Sequence, residues 1–231
     1  MLQYKKGGSG IPPRLKKLGY PAAKTMRIIE PSVEIIDCPD GEQMLKMIEL
    51  CGRVCYKSED RITDDSAHKF IRQVIKSGHE SVLEHGKITV KAVCDRGVSH
   101  EIVRHRLASY SQESSRYCNY GGEVTFIKPC FWKEGSPEYL AWKETMWTAE
   151  RYYKFLINDC KSKPEEARSL LPKSLKTEIV MTMNLREWRH FFRMRLSHRA
   201  HPQMREITNM IYEELRSRVP IVFDDIQTHD N

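Results

Sequence analysis

Residues 104 to 116 read RHRLASYSQESSR and concentrate hydrogen-bond donors in one short stretch. Arg104, His105 and Arg106 stand in a row at its start. Successive side chains of a helix turn by about 100°, so these three cannot all face the same surroundings. The motif must therefore serve several surroundings at once, or lie where a helix ends.

The serine-rich run that follows favours exposed backbone amides over helix, because serine hydroxyls compete for backbone hydrogen bonds. Amides, hydroxyls and guanidinium groups together suit a phosphate or another anion. A solvated basic helix end followed by a serine loop is the structural alternative, and local chemistry leaves both open. The run contains Ser109, Ser111, Ser114 and Ser115.

A second stretch, NLREWRHFFRMR at residues 184 to 195, places an arginine on an apolar helix face. Trp188 and Arg195 are seven residues apart, which puts them within about 20° of each other, and Phe191 and Phe192 flank the same line. A buried guanidinium needs a partner. Arg195 therefore either pairs with an internal carboxylate or points at a substrate in a dry pocket, where its charge acts strongly.

The histidines of HESVLEH, residues 79 to 85, do not have metal-site spacing. His79 and His85 are six residues apart, whereas the metalloprotease pattern needs histidines four apart. His198 and His201 would complete a site only by chance. We expect no metal site here.

Hydrophobic periodicity predicts an α+β protein in which helices dominate and the strands are few and mostly non-adjacent. We expect a single domain with a small, largely antiparallel sheet. Helices are predicted over 41–57, 64–78, 137–160, 184–196 and 202–218, with a short one after Pro164 and another from Gly97 into the motif. Strands are predicted at 33–36, 88–92, 124–127 and 178–183.

Composition is that of a soluble cytoplasmic protein. The 231 residues are 40% hydrophobic and 30% charged, enough for one sizeable core. No apolar run approaches the ~18 residues of a membrane helix, and the basic N-terminus lacks the apolar core of a signal peptide. The seven cysteines are odd in number and form no CxxC pair, which favours free thiols in a reducing compartment.

The net charge of +7 resides in a leader, residues 1 to 27, that is rich in Gly and Pro and carries no acid. Subtracting its seven basic residues from 38 Lys and Arg leaves 31, equal to the 31 Asp and Glu. We expect a flexible arm followed by a charge-balanced domain over 28–231, and no nucleic-acid binding. The seven are Lys5, Lys6, Arg14, Lys16, Lys17, Lys24 and Arg27.

Taken in order, these motifs resemble the flavin-dependent thymidylate synthases over roughly residues 30 to 220. The family pattern RHRxxxxxxxS matches Arg104 to Ser114, with HESVLEH before it and Arg116 after it. EEARSLLP at 165 to 172 and NLREWRHFFRMR follow at compatible separations. A single RHR sequence would be weak evidence for the family, but the ordered set of motifs is specific to it.

The resemblance implies that 5,10-methylenetetrahydrofolate donates one carbon to dUMP, FAD carries the hydride and NADPH supplies it. Products are dTMP and tetrahydrofolate. It also implies a homotetramer with FAD and nucleotide at subunit interfaces, so that one motif can face several surroundings. The family needs no enzymic nucleophile, and Arg195 aligns with its catalytic residue, which binds the uracil and favours its ionised form.

The family's ligand contacts carry over to two sets of positions. Cofactor-binding residues by resemblance are Ser81, with Glu84 close by, Arg104, His105, Arg106, Gln112, Asn184, Arg186 and His190. Substrate-binding residues by resemblance are Glu101, Arg104, Ser114, Ser115, Arg116, Arg168 and Arg195, with the dUMP phosphate at 114 to 116.

Some positions depart from the family pattern. Many members carry Gln at the position of Glu101, and a carboxylate there accepts from uracil N–H but opposes a phosphate. Gln112 and His190 replace residue types found elsewhere in the family. The segment 196–203 differs in length from shorter members, which leaves its flavin contacts open.

Cys130 follows Pro129, as does the nucleophile of the thymidylate synthases that lack a flavin. No basic helix terminus is predicted nearby to lower its pKa, so we do not assign it that role. Two other classes of protein stay in view. A nucleic-acid-binding module would show steep salt dependence and no flavin, and a flavoprotein that has lost methylation would bind FAD without forming dTMP.

Overall fold

The computed structural model of the protein describes residues 26–226, and its centre is a four-stranded antiparallel sheet in the order β2-β3-β6-β4. These strands are β2 (Ser32–Asp37), β3 (Lys87–Asp95), β4 (Ala108–Gln112) and β6 (Lys176–Asn184). A separate parallel pair joins β1 (Arg27–Ile29) to β5 (Thr125–Ile127). Residues 1 to 25 of the predicted leader lie outside the described residues. Arg27, which was also assigned to the leader, belongs to β1.

Helices surround this sheet, which confirms the predicted α+β domain with a mostly antiparallel sheet. None of the helices within 26–226 is long and apolar enough to cross a membrane. The helices are α1 (Gly41–Val54), α2 (Ser66–Lys76), α3 (Arg96–Ile102), α4 (Pro137–Asn158), α5 (Pro164–Ala167), α6 (Leu185–Arg195), α7 (Pro202–Arg218) and α8 (Pro220–Phe223). Short 3₁₀ helices span Glu59–Arg61, Glu80–His85 and Arg168–Leu170.

The two central strands, β3 and β6, form the longest ladder, from Lys87 opposite Asn184 to Asp95 opposite Lys176. Their side chains alternate between a fully buried and a half-buried face. The buried face packs against α1, α2, α6 and α7 in the main core, as the apolar alternation at 88–92 predicted. A second apolar cluster lies under α4.

Strand β4 was not predicted, and the helix expected to run into the motif ends at Ile102. The serine-rich sequence favours loop locally, but its backbone pairs with β6 from Ala108 to Gln112. Tertiary pairing thus overrides local preference. Tyr110 and Gln112 turn inward, while the serines at 109 and 111 face outward.

Helix α6 begins without any connecting loop at the end of the central strand. Asn184 is the last residue of β6 and the N-cap of α6, and its Oδ1 accepts a hydrogen bond from the Glu187 amide at 2.8 Å. Trp188, Phe191 and Phe192 are completely buried, which confirms the predicted apolar face.

The most deeply buried guanidinium of α6 belongs to Arg189, with none of its surface exposed, and not to Arg195. Its two terminal nitrogens donate to both carboxylate oxygens of Asp225, at 2.6 and 2.7 Å, and its Nε donates to Glu80 at 3.1 Å. It also donates to the Val222 carbonyl. These contacts tie α6 to the 80–85 turn and to the end of α8.

We expect Arg189→Met to lower the free energy of unfolding by about 3 kcal/mol or more, because it removes a completely buried guanidinium that pairs with Asp225 and Glu80 and donates to the buried Val222 carbonyl. The thermal midpoint should fall by roughly 6 °C or more. Arg193→Ala is the matched control, since Arg193 is exposed on the same helix and shares Glu80 at 2.9 Å. Its midpoint should fall much less. Equal losses in the two variants would contradict the structural role of Arg189.

Candidate active site

The RHR segment lies in the connection between α3 and β4, and its three side chains do not all face the same surroundings. His105 is buried, with 6% of its surface exposed, whereas Arg104 and Arg106 are exposed. Within residues 26–226, neither arginine forms an ion pair with a carboxylate. Both guanidinium groups are therefore open to an anionic ligand.

The position of His105 is set by its neighbours on β4 and α6. The Tyr110 hydroxyl lies 2.7 Å from the His105 carbonyl oxygen and 2.9 Å from that of Ile102. The imidazole packs edge-on against Phe191, with ring centroids 4.8 Å apart. The turn that carries the motif is thus anchored from two sides.

Arg195, the last residue of α6, meets the RHR segment directly. Its Nε donates to His105 Nε2 at 3.0 Å, its Nη1 to Glu101 Oε2 at 2.8 Å and its Nη2 to the Glu101 carbonyl at 3.1 Å. The structure shows the first alternative, pairing with a carboxylate, and the arginine keeps 19% of its side chain exposed, while contact with a substrate stays a prediction. Glu101 is itself one of the predicted substrate-binding residues.

His105 is neutral in this arrangement. Burial first, then the charges of Arg195 and His190, lower the pKa of His105 to about 4. Its contact with Glu187, 3.3 Å from Nδ1 to Oε1, is therefore a hydrogen bond and not an ion pair. Burial raises the pKa of the Glu187 carboxyl group, with His190 acting in the opposite direction.

Ligand atoms of His105, Glu187 and His190 lie within 4.8 Å of one another, a grouping compatible in size with a metal ion. However, both nitrogens of His105 are engaged, one by Arg195 and one by Glu187. The adjacent guanidinium also places a positive charge beside the cluster, which disfavours a cation. We therefore assign the contact between His105 and Glu187 to hydrogen bonding and not to a metal site.

Two of the predicted cofactor residues share a cavity. Ser81 and Arg186 line a cavity of about 570 Å³ between α1, α2 and the 3₁₀ helix Glu80–His85, with apolar walls from Phe70 and Val82. The Arg186 guanidinium pairs with Glu84 at 2.6 Å and stays half exposed. Apolar walls with a few polar groups suit a flat aromatic ligand such as a flavin.

The other predicted flavin contacts have structural roles of their own. Asn184 Oδ1 caps α6, which leaves its amide nitrogen for a ligand. Gln112 Nε2 donates to Ser99 Oγ at 2.9 Å and to Thr177 Oγ1 at 3.2 Å, so this amide nitrogen is used inside the protein. His190 is exposed. Direct flavin contacts from these residues remain predictions.

The predicted phosphate cradle is a tight turn. The amides of Tyr117 and Cys118 both donate to the Ser114 carbonyl, at 3.2 and 2.9 Å, and Ser115 is buried. Arg116 is exposed and lies 3.8 Å from Glu165 of α5.

Because α5 is followed directly by the 3₁₀ helix that starts at Arg168, the contact with Glu165 brings this turn close to the predicted Arg168 contact. Arg104, Arg106 and Arg116 of the motif and Arg168 are all exposed, and exposed guanidinium groups suit anionic ligands such as FAD and a nucleotide.

The Cys130 thiol is not an activated nucleophile. Burial and the neighbouring Glu206 raise the pKa of the thiol to about 11, so it stays protonated at neutral pH.

Sequence reasoning missed Glu187 and the Arg189 network with Glu80 and Asp225. The one signal that could have pointed to Glu187 was its position three residues after the Asn184 N-cap.

Comparison with known proteins agrees with this architecture. Residues 36–221 match the family model Thy1, thymidylate synthase complementing protein. A "Flavin-dependent thymidylate synthase" of Pyrococcus furiosus is 38% identical over 185 residues, covering 78% of this chain and 73% of that protein. Another, from Mycobacteroides abscessus, is 33% identical over 221 residues, covering 88% and 87% respectively.

Among solved structures, the UMP/dUMP methylase PolB of Streptomyces cacaoi, bound with 5-Br dUMP, has the same fold. The TM-score is 0.72 at 23% identity, covering 86% of this chain and 96% of that chain. The match to the family model and the identity to the two synthases extend over most of the chain. The chain therefore belongs to the Thy1 family, the flavin-dependent thymidylate synthases.

Proposed function

We propose that the protein methylates dUMP to dTMP. In the full reaction, 5,10-methylenetetrahydrofolate provides the carbon and NADPH with a proton provides the two reducing equivalents, giving dTMP, tetrahydrofolate and NADP⁺. The observation that carries the proposal is the junction at which Arg195 of α6 meets His105 and Glu101 beside the RHR segment. The relatives named as flavin-dependent thymidylate synthases and the neighbour named as a dUMP methylase support this substrate.

In this proposal Arg195 is the catalytic residue. It binds the uracil ring through its outer guanidinium edge and stabilises negative charge that develops on the base as C5 becomes nucleophilic. The exposed part of the side chain gives the base access to this charge. Glu101, which binds Arg195, is the proposed acceptor of a hydrogen bond from the uracil N–H.

The dUMP phosphate is assigned to the turn that begins at Ser114. The proposed donors are the hydroxyl groups of Ser114 and Ser115 and the guanidinium groups of Arg116 and of Arg168, which begins the 3₁₀ helix Arg168–Leu170. Arg104, which is exposed and has no ion pair within the described part of the chain, adds a further positive charge for nucleotide or cofactor. This charge distribution favours a dianionic phosphate over a neutral nucleoside.

FAD, when bound, carries the hydride that converts the transferred carbon into a methyl group. The residues proposed to hold it are Ser81, Arg104, Arg106, Asn184, Arg186 and His190, whereas the His105 ring and the Gln112 amide nitrogen are engaged inside the protein and act by positioning their neighbours. Of these, Ser81 and Arg186 already line one cavity.

We also propose the homotetramer that the family implies, located in the cytoplasm. Val103 and Leu107, on either side of RHR, and Met194, next to Arg195, are large apolar side chains exposed around the site. A second subunit packed there would bury them and complete the ligand contacts. The seven cysteines are all free thiols, as a reducing compartment favours.

Chromatographic detection of dTMP tests the function. Purified protein with dUMP, methylenetetrahydrofolate, FAD and NADPH should form dTMP, and omission of the folate or the reductant should abolish it. Bound FAD with no dTMP under complete conditions would favour a flavoprotein that has lost methylation. No flavin and no dTMP, with salt-sensitive nucleic-acid binding, would favour the nucleic-acid module.

We expect Arg195→Ala to lower kcat/KM for dUMP by about 10²–10³-fold, because a preorganised charge at the developing anion is removed. Tritium release from C5-labelled dUMP measures it. Arg193→Ala, on the same helix, and Cys130→Ala are controls that should retain activity within about 3-fold. Loss of turnover in Cys130→Ala with FAD still bound would contradict the mechanism in favour of a cysteine nucleophile.

A further inference from the structure

Glu187 is a buried carboxyl group that the proposed function does not use. It has 6% of its surface exposed and lies in the first turn of α6. Its only side-chain hydrogen bond within residues 26–226 is to His105 Nδ1. A buried carboxyl group in contact with the motif histidine calls for a role beyond helix formation.

The direction of the hydrogen bonds around His105 follows from chemistry. Arg195 Nε carries a hydrogen and has no acceptor capacity, so His105 Nε2, 3.0 Å away, must accept. A neutral imidazole has one donor and one acceptor nitrogen, so the proton resides on Nδ1. Nδ1 then donates to Glu187 Oε1, which accepts whether or not the carboxyl group is ionised.

The other groups around the imidazole do not determine which nitrogen of His105 carries the proton. The Tyr110 hydroxyl contacts the His105 backbone carbonyl, not the ring. The Phe191 ring packs edge-on, and the His190 ring centroid lies 5.5 Å away. Glu101 acts on Arg195 rather than on the ring. Glu187 is thus the group that satisfies Nδ1.

We infer that Glu187 is a positioning residue for Arg195: it selects the Nδ1–H tautomer of His105 and so keeps Nε2 available to hold the Arg195 guanidinium. With the other tautomer, two N–H groups would face each other at this contact and the arginine would have to turn. The effect on catalysis rests on the proposed function, whereas the tautomer does not.

The first test reads the tautomer directly in ligand-free protein. Long-range ¹H–¹⁵N correlation of ¹⁵N-histidine-labelled protein reports which nitrogen is protonated, and His105→Gln assigns the signal among the nine histidines. We expect Nδ1–H alone in the wild type and in Glu187→Gln, whose amide oxygen still accepts. Glu187→Met removes the acceptor, and both tautomers should be populated.

The second test separates positioning from binding and stability. In Glu187→Met, kcat should fall about 10–100-fold because the arginine is misplaced, with a smaller change in KM for dUMP. Glu187→Gln should recover kcat to within about 3-fold of the wild type. Glu150→Gln is the control for loss of a buried carboxyl group, since Glu150 is buried in α4 and pairs with Lys154, outside the proposed ligand contacts.

Nε2–H in the wild type, or an unchanged tautomer and kcat in Glu187→Met, would overturn the inference. If the wild type forms no dTMP, the proposed function fails, while the tautomer measurement still tests the role of Glu187. If Glu187→Met does not fold, Glu187→Gln decides: a mixed tautomer or a 10-fold loss of kcat in that variant contradicts the proposed acceptor role.

Discussion

The arrangement of the site depends on the direct passage from the central strand β6 into helix α6 at Asn184. This residue ends a nine-residue ladder with β3 and caps the helix through Glu187 N, so no loop allows the helix to move independently of the sheet. The indole Nε1 of Trp188 also donates to the Ile88 carbonyl of β3. Because β4 pairs with the other edge of β6, the strand that follows RHR is placed by the same element.

Some residues of helix α6 anchor it to the core, and others contribute to the site. Burial of three large aromatic side chains stabilises its docking by about 1.5–3 kcal/mol each. Arg189 is held by Glu80 and Asp225, which costs desolvation but fixes the helix orientation through directional contacts. Glu187, His190 and Arg195 remain for the site. The neutral state of His105 then lets an arginine and a histidine stand 3.0 Å apart without charge repulsion.

Hydrophobic periodicity along the chain was sufficient to predict the main helices and the central strands, because α6 and the β3–β6 ladder are strongly amphipathic. It was not sufficient for β4, whose serines pair only because β6 provides a partner edge. The spacing of Trp188 and Arg195 placed them on one face but did not reveal that Arg189 is the deeper arginine. His105 meets Glu187 and Arg195 across 82 and 90 residues, contacts that no local pattern contains. Glu101 and Arg195 were predicted as substrate-binding residues, but the ion pair between them could be found only from the structure.

The central claim is that the RHR segment and α6 together form a site for a flavin and a uracil nucleotide. Its most direct test is the visible spectrum of the purified protein, with FAD added if needed, during anaerobic reduction by NADPH with and without dUMP. We expect a yellow flavin spectrum that bleaches at a rate altered by dUMP in the wild type and unaffected by dUMP in Arg195→Ala. A colourless protein that takes up no FAD, or bleaching that dUMP does not affect, would contradict it.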